Sequence, residues 1–186
     1  MKQLLMLRHA APVVRRSLPD GYAYAPFLGT QAEIDDWLTI CAAGLLPDTD
    51  PHWFADSIRN YPDLDPARDL FFVTDADGVR VATSAAVRHA NGEGYIHMVG
   101  SLPSCRGKGI GHAMLSRALE ELQARGCAVI TLTTDDHRLA AIKTYLDAGF
   151  RPVLWDDPDS DMQARWDAVI AALGCAKPVE YLPESR

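Results

Sequence analysis

The chain has 186 residues, 48 % of them hydrophobic, and a formal net charge of −7. The length suits one compact α/β domain, and the apolar content supports a sizeable core and excludes global disorder. The acidic balance repels phosphate backbones, which excludes nucleic acid as a default partner, so an anionic ligand must be held by a local site. The start, Met1 to Arg8, has too short an apolar run for a signal peptide. No stretch approaches the ~18 apolar residues of a membrane helix, so a cytoplasmic protein with no membrane partner is expected. Cys41, Cys105, Cys127 and Cys175 show no C-x-x-C spacing, so reduced thiols and no metal are expected.

In chain order, Gln3 to Leu7 reads as a short strand or a docked segment, after which Pro19, Gly21 and Pro26 break the chain up. Thr30 with Glu33 forms a capping-box pattern ahead of Ile34, Trp37, Leu38 and Cys41 at helical spacing. Asp50-Pro51 opens a short helix with Trp53, Phe54 and Ile58. Leu70 to Val73, Val79 to Val87 and Tyr95 to Val99 then form an antiparallel meander, with turns at Asp75–Gly78 and Asn91–Gly94. A glycine-rich loop opens a helix with Ile110, Met114, Leu115, Leu119 and Leu122, closed by Arg125-Gly126. A strand at Ala128 to Thr133, a helix at Leu139 to Ala148, a strand at Phe150 to Leu154 and a helix from about Met162 to Leu173 complete the pattern.

The loop Arg106-Gly107-Lys108-Gly109-Ile110-Gly111 carries the functional reading. Without Cβ atoms, backbone N–H groups converge on an anion, and the helix N-terminus adds partial positive charge. Arg106 and Lys108 supply full charges, which makes a pyrophosphate cradle. A Walker A loop fails because Gly109 follows Lys108 and Leu102 stands where the first glycine belongs. A Rossmann fingerprint fails on the third glycine's spacing and on the antiparallel strands before it. What remains is [RQ]-x-x-G-x-[GA], met by Arg106, Gly109 and Gly111.

The segment Gly94 to Gly111 resembles the fourth strand and pyrophosphate loop of the GNAT superfamily of acyl-CoA-dependent N-acyltransferases. Ala141 to Phe150 is similar to that family's late A-x-x-x-Y-x-x-x-G-F signature. The resemblance covers roughly Leu70 to Val153. It implies an α/β (α+β) fold with a mixed, mostly antiparallel sheet flanked by helices and a splayed strand pair at the acyl-CoA site. It also implies a single N-acetyltransferase domain over 1–186. Residues 1–69 would form the acceptor side, 70–154 the acyl-CoA core, and 155–186 a C-terminal helix and tail.

On this resemblance, acetyl-CoA or another acyl-CoA is the co-substrate, without metal. Pantetheine would run beside Val99, Gly100 and Ser101, with a backbone N–H such as that of Val99 as oxyanion donor. Arg106, Gly107, Lys108, Gly109, Ile110, Gly111 and His112 would hold the pyrophosphate end. Tyr145 stands at the position that protonates the leaving thiolate. Two departures stand out. Arg138 occupies a position, seven before the tyrosine, where many members carry Asn, and it would reach a CoA phosphate. Ser101 replaces a usual apolar residue.

His97 is a candidate general base, since an unperturbed imidazole titrates near ~6.5. On a regular strand its side chain shares a face with Val99. Glu93 acting through water is its rival. The plain alternatives are a packed Tyr145, a hydrogen-bonded His97 and solvated Arg106 and Lys108. Trp37, Trp53 and Phe54 read as core rather than acceptor cage. The acceptor is a small-molecule or peptide amine, and a homodimer is compatible with the family. Two other classes differ in what they need: a GNAT-fold module that binds acyl-CoA without turnover, for which Tyr145 would be superfluous, and a histidine phosphatase through Arg8-His9, which needs a second catalytic histidine.

Overall fold

The protein is described by a computed structural model over residues 2–154, 160–174 and 179–183. Cys175 and parts of the expected tail lie outside those residues. Eight strands form one sheet in the order β2-β3-β4-β5-β6-β1-β7-β8. They are β1 (Leu4–His9), β2 (Ala23–Pro26), β3 (Leu70–Thr74), β4 (Arg80–Arg88), β5 (Gly94–Ser101), β6 (Val129–Thr134), β7 (Arg151–Leu154) and β8 (Leu182–Pro183). Pairing is antiparallel except for β5 with β6 and β7 with β8. This is the mixed, mostly antiparallel sheet flanked by helices that the sequence implied.

Helices cover both faces. On one, α1 (Gln31–Ala42) and the short α2 (His52–Phe54), which runs on as a π-helical turn Ala55–Arg59, bury Trp37, Ile40, Phe54 and Ile58 against Phe72, Ala85 and Val87. Thr30 and Glu33 form the expected capping box, and Asp50 accepts a hydrogen bond from the His52 N–H. A turn of helix, α3 (Pro66–Asp69), leads into β3. On the other face, α4 (Ile110–Ala124), α5 (Leu139–Asp147) and α6 (Met162–Leu173) pack Met114, Leu115, Ile142 and Trp166 onto Leu4, Met6, Ile96 and Ile130. Cys41, Cys105 and Cys127 are free and buried. Among the described residues no helix is long and apolar enough to cross a membrane.

Two strands in the N-terminal part go beyond the sequence reading, as does β8 in the expected tail. β1 is an interior strand, antiparallel to both β6 and β7. Its leucines and methionine put apolar groups on both faces, the pattern of a strand covered on two sides. β2 is an edge strand between breakers, where only irregular chain was expected. Pro26 is tolerated there because an edge strand can spare a backbone N–H.

Candidate functional site

β5 and β6 are paired over two positions only, Gly94 with Ile130 and Tyr95 with Thr131. β5 runs on to Ser101 and β6 to Thr134, so the parallel strands part into a wedge. Gly94 sets its apex. A Cβ there would lie 3.0 Å from Leu122 and 3.1 Å from Ile130, so only glycine lets β5, β6 and α4 approach this closely.

Beyond the apex β5 carries a bulge. Its register on β4 passes from Ala85–His97 to Thr83–Gly100, which leaves one extra residue on β5. Met98 absorbs it at φ 52°, a left-handed conformation rare outside glycine. Met98 and Val99 have no partner in the β4 register, and β6 has diverged on the other side. The expectation that His97 and Val99 share a face is overturned by this bulge. His97 stacks on Tyr61 on the α1/α2 side, while Val99 packs into the core on the α4 side. Gly100 follows on the α1/α2 side, where a Cβ would meet Leu45 at 3.2 Å and Ile40 at 3.4 Å. Ser101 is half-buried and pairs with Ala82.

From Ser101 a 3-10 turn, Pro103–Cys105, leads into the glycine loop and α4. Gly107 (φ +76°) and Gly109 (φ +83°) adopt the left-handed conformation that only glycine takes without strain. A Cβ on Gly107, Gly109 or Gly111 would meet nothing within 4 Å, so the space before the loop is open. The first-turn N–H groups of α4, including those of Ile110, Gly111 and His112, have no intrahelical acceptor, an arrangement that can hold an anion. The flanking cations are turned aside. Arg106 Nη2 donates to the Ala43 carbonyl at 2.7 Å, at the negative end of α1. Lys108 Nζ donates to the Tyr22 hydroxyl at 3.0 Å. The His112 ring faces α5, 3.8 Å from the Asp147 carboxylate.

Tyr145 lies on α5, 7 % exposed, edge-on to Phe150. Burial pushes its pKa up to about 12, while the positive charge of Arg138 pulls the other way. The hydroxyl is therefore protonated at every working pH. Arg138 caps α5 and pairs with Asp135 at 2.8 Å. Its Nε is buried without a hydrogen-bond partner.

His97 does not titrate where an unperturbed imidazole would. Burial lowers its pKa to about 4, outweighing its hydrogen bond to the Ser57 carbonyl. That bond is 2.8 Å from Nε2, and a carbonyl only accepts, so Nε2 carries the proton and Nδ1 is the acceptor. Glu93 is exposed in the β4–β5 turn, at the end of β5 away from the bulge. Trp37 and Phe54 are core, as expected, in a T-shaped pair at 5.2 Å. Trp53 is half-buried, with its indole N–H on Asp48. Arg8 and His9 diverge. Arg8 is buried, donating to the carbonyls of Ala148, Ala11 and Pro12, whereas His9 is exposed.

Sequence reading missed the groups lining the wedge on the α1/α2 side. Tyr61 stacks on His97 at 4.1 Å and on Tyr95 at 6.1 Å. The Tyr95 hydroxyl crosses the wedge to Thr133 at 2.8 Å, Thr133 donates to Gln3, and Gln3 donates to Asp135. Tyr95 and His97, two apart on a strand, were a legible signal of one shared face. Tyr61 and Gln3 join them only through tertiary structure. Among the described residues no three potential metal ligands cluster.

A model of the acetyltransferase (GNAT) family matches residues 32–150. The mycothiol acetyltransferase of Beutenbergia cavernae is 29 % identical over 147 residues, covering 77 % of this chain and 50 % of that protein. That of Renibacterium salmoninarum is 30 % identical over 162 residues, covering 82 % and 43 %. The chain thus spans about half the length of the curated relatives it matches. Among solved structures, a GCN5-related N-acetyltransferase from Sphaerobacter thermophilus superposes with a TM-score of 0.64 at 24 % identity, over 80 % of this chain and 47 % of that one. A second, from Kribbella flavida, gives 0.56 at 22 %, over 81 % and 54 %. At these identities the structural likeness bears on the fold.

Proposed function

The chain belongs to the acetyltransferase (GNAT) family, and from that premise we propose that it transfers an acetyl or longer acyl group from a coenzyme A thioester to a primary amine. The observation that carries this reading is the wedge between β5 and β6, which opens beside a bulge and ends at a glycine loop with open space before it. The residues present fit such a co-substrate. Gly107, Gly109 and Gly111 leave room for a pyrophosphate against the first turn of α4, and Val99 to Ser101 line the path from there to the apex. Arg106 and Lys108 swing from Ala43 and Tyr22 onto the phosphates, a short move for exposed side chains.

The thioester supplies an activated acyl carbon, and each remaining task falls to a group of this chain. The Val99 N–H, freed by the bulge, polarises the acyl oxygen and stabilises its developing charge. Tyr145, always protonated, donates to the sulfur as it leaves. The acceptor enters as free base from the α1/α2 side, over Tyr61 and Tyr95, and its proton leaves to water. His97 acts as an anchor of β5 on the Ser57 carbonyl, because a group with a pKa of about 4 is a weak base at neutral pH. The acceptor is a small molecule or a peptide amine, and the name of the curated relatives puts mycothiol chemistry first among those to try.

The test is a thermal-shift titration followed by an acceptor screen for release of free CoA thiol. Acetyl-CoA at ~100 times its Kd adds about 2.7 kcal/mol, or roughly 5–10 °C for a domain of this size. Gly109→Glu, which places a charged side chain at a left-handed position of the cradle, abolishes the shift. Equal shifts in the two proteins refute the assignment of the loop.

A further inference from the structure

On the acetyl-transfer reading above, we propose that the hydrogen bond from Tyr95 to Thr133 is the end wall of the acyl site and restricts the donor to the shortest acyl groups. The co-substrate path runs from the glycine loop past Ser101 and Val99, so its acyl end points at the apex of the wedge. Between Val99 and the apex the gap is bridged. Tyr95 makes the last pair of β5 with β6, at Thr131, and its hydroxyl reaches across to Thr133, two residues further on, at 2.8 Å. Two strand residues span ~7 Å, so the bridge stands about that far up the wedge. Ile130 and Leu132 are buried towards α4, so Thr133 faces the α1/α2 side, as Tyr95 does. Ile96 and Leu132 fill the α4 side of the same stretch. Tyr145 approaches from that side. Burial chiefly, and the Tyr95 hydroxyl in small part, raise its pKa, so the two hydroxyls lie within electrostatic reach of each other.

The wall is held in place because its hydrogen bonds run one way. Asp135 is ion-paired with Arg138 and only accepts, so Gln3 turns its amide N–H to Asp135, at 3.1 Å, and its carbonyl to Thr133. That carbonyl takes the Thr133 hydroxyl proton, at 2.9 Å. Thr133 Oγ1 then accepts, and Tyr95 donates to it. Tyr61 is stacked 6.1 Å from the Tyr95 ring, and His97, itself held on the Ser57 carbonyl, lies 5.5 Å away. The bulge sets the room above the wall. Met98 is the extra residue, so Val99 stands about one to two strand residues, ~3–7 Å, beyond the level of the bridge. The methyl of an acetyl group held at the Val99 N–H fills that span once contact distances of ~3.5–4 Å are kept. Each further carbon adds up to ~1.5 Å, so a butyryl chain runs into the Tyr95 ring.

The test needs no acceptor. Kd values for free CoA, acetyl-CoA, butyryl-CoA and hexanoyl-CoA are measured by isothermal titration calorimetry on the wild type and on Tyr95→Ala. In the wild type butyryl-CoA binds roughly tenfold or more weakly than acetyl-CoA, the scale on which a closed pocket rejects an extra methylene, and hexanoyl-CoA binds more weakly still. In Tyr95→Ala the ratio of the butyryl-CoA to the acetyl-CoA Kd falls to about one or below. A merely structural role for Tyr95 would weaken all the thioesters together and leave that ratio as it was. Thr133→Val keeps the shape of its side chain, releases the Tyr95 hydroxyl and lowers the same ratio in part. It replaces the alanine variant if that fails to fold. Equal affinities for acetyl-CoA and butyryl-CoA in the wild type overturn the proposal, and so does an unchanged ratio in the variant. Failure of the wild type to bind CoA or acetyl-CoA at all overturns the acetyl-transfer reading itself, and this inference with it.

Discussion

The depressed pKa of His97 makes the protein's stability depend on pH in a way that isolates one residue. In the unfolded chain the imidazole titrates at 6.5, and in the folded protein at about 4, because the charged form is held out of water beside Tyr61 and Tyr95. A folded pKa below the unfolded one means that the unfolded state binds the proton first as pH falls. The stabilisation is therefore full above pH ~6.5 and is lost progressively as pH falls towards ~4. With these two values the loss from pH 7 to pH 5 is about 2 kcal/mol, and to pH 4 about 3 kcal/mol. His89 packs on the same Tyr95 ring as His97 and pairs with Asp63, whose pKa that contact lowers, so the wild-type curve alone is a sum. His97→Gln keeps an N–H donor for the Ser57 carbonyl and cannot charge. The difference between wild-type and variant urea-unfolding free energies, measured from pH 7.5 to 4, removes the common terms. The wild type should fall more steeply by the amounts above, and its rate profile should show no limb near pH 6.5. Parallel stability curves would refute the buried, neutral histidine and reinstate it as a candidate base.

Two further outcomes follow from the same geometry. Tyr145→Phe keeps the edge-on packing against Phe150 and should lower kcat by roughly 10²-fold with acetyl-CoA affinity unchanged; near wild-type turnover, with chemistry rate-limiting, demotes the hydroxyl to packing. Gly94→Ala forces a Cβ to within 3.0 Å of Leu122 and 3.1 Å of Ile130 at the apex of the wedge, and should cost about 1–3 kcal/mol in urea unfolding, whereas a variant as stable as wild type would show that the apex gives way.

What the sequence made legible was what local chemistry determines. Thr30 and Glu33 close a capping box whoever their neighbours are, and Gly126 ends α4 at φ +82° because no side chain there permits it cheaply. The glycine loop belongs with these, since three missing Cβ atoms before a helix describe a cradle on their own. The bulge was not legible, because its strained residue is a methionine and its cause is the register against β4, which no local signal carries. β1 was legible as a strand but not as an interior one. Arg8 looked like half of a catalytic motif until the Ala148 carbonyl, at the end of α5, supplied its partner.

The same division separates what a residue type suggests from what the fold then does with it. His97 was picked because imidazole titrates near neutrality, and Arg138 because guanidinium binds phosphate. Both properties belong to the free side chain. In the fold, the Ser57 carbonyl fixes which nitrogen of His97 holds the proton, and burial decides that it stays neutral. Asp135 takes Arg138 Nη2 and leaves the buried Nε beside it without a hydrogen-bond partner. Each of these partners comes with the tertiary fold or a helix cap, and none changes the sequence pattern around the residue it controls. A motif can therefore place a functional group at the wedge, while its proton inventory is set by the neighbours that folding brings to it.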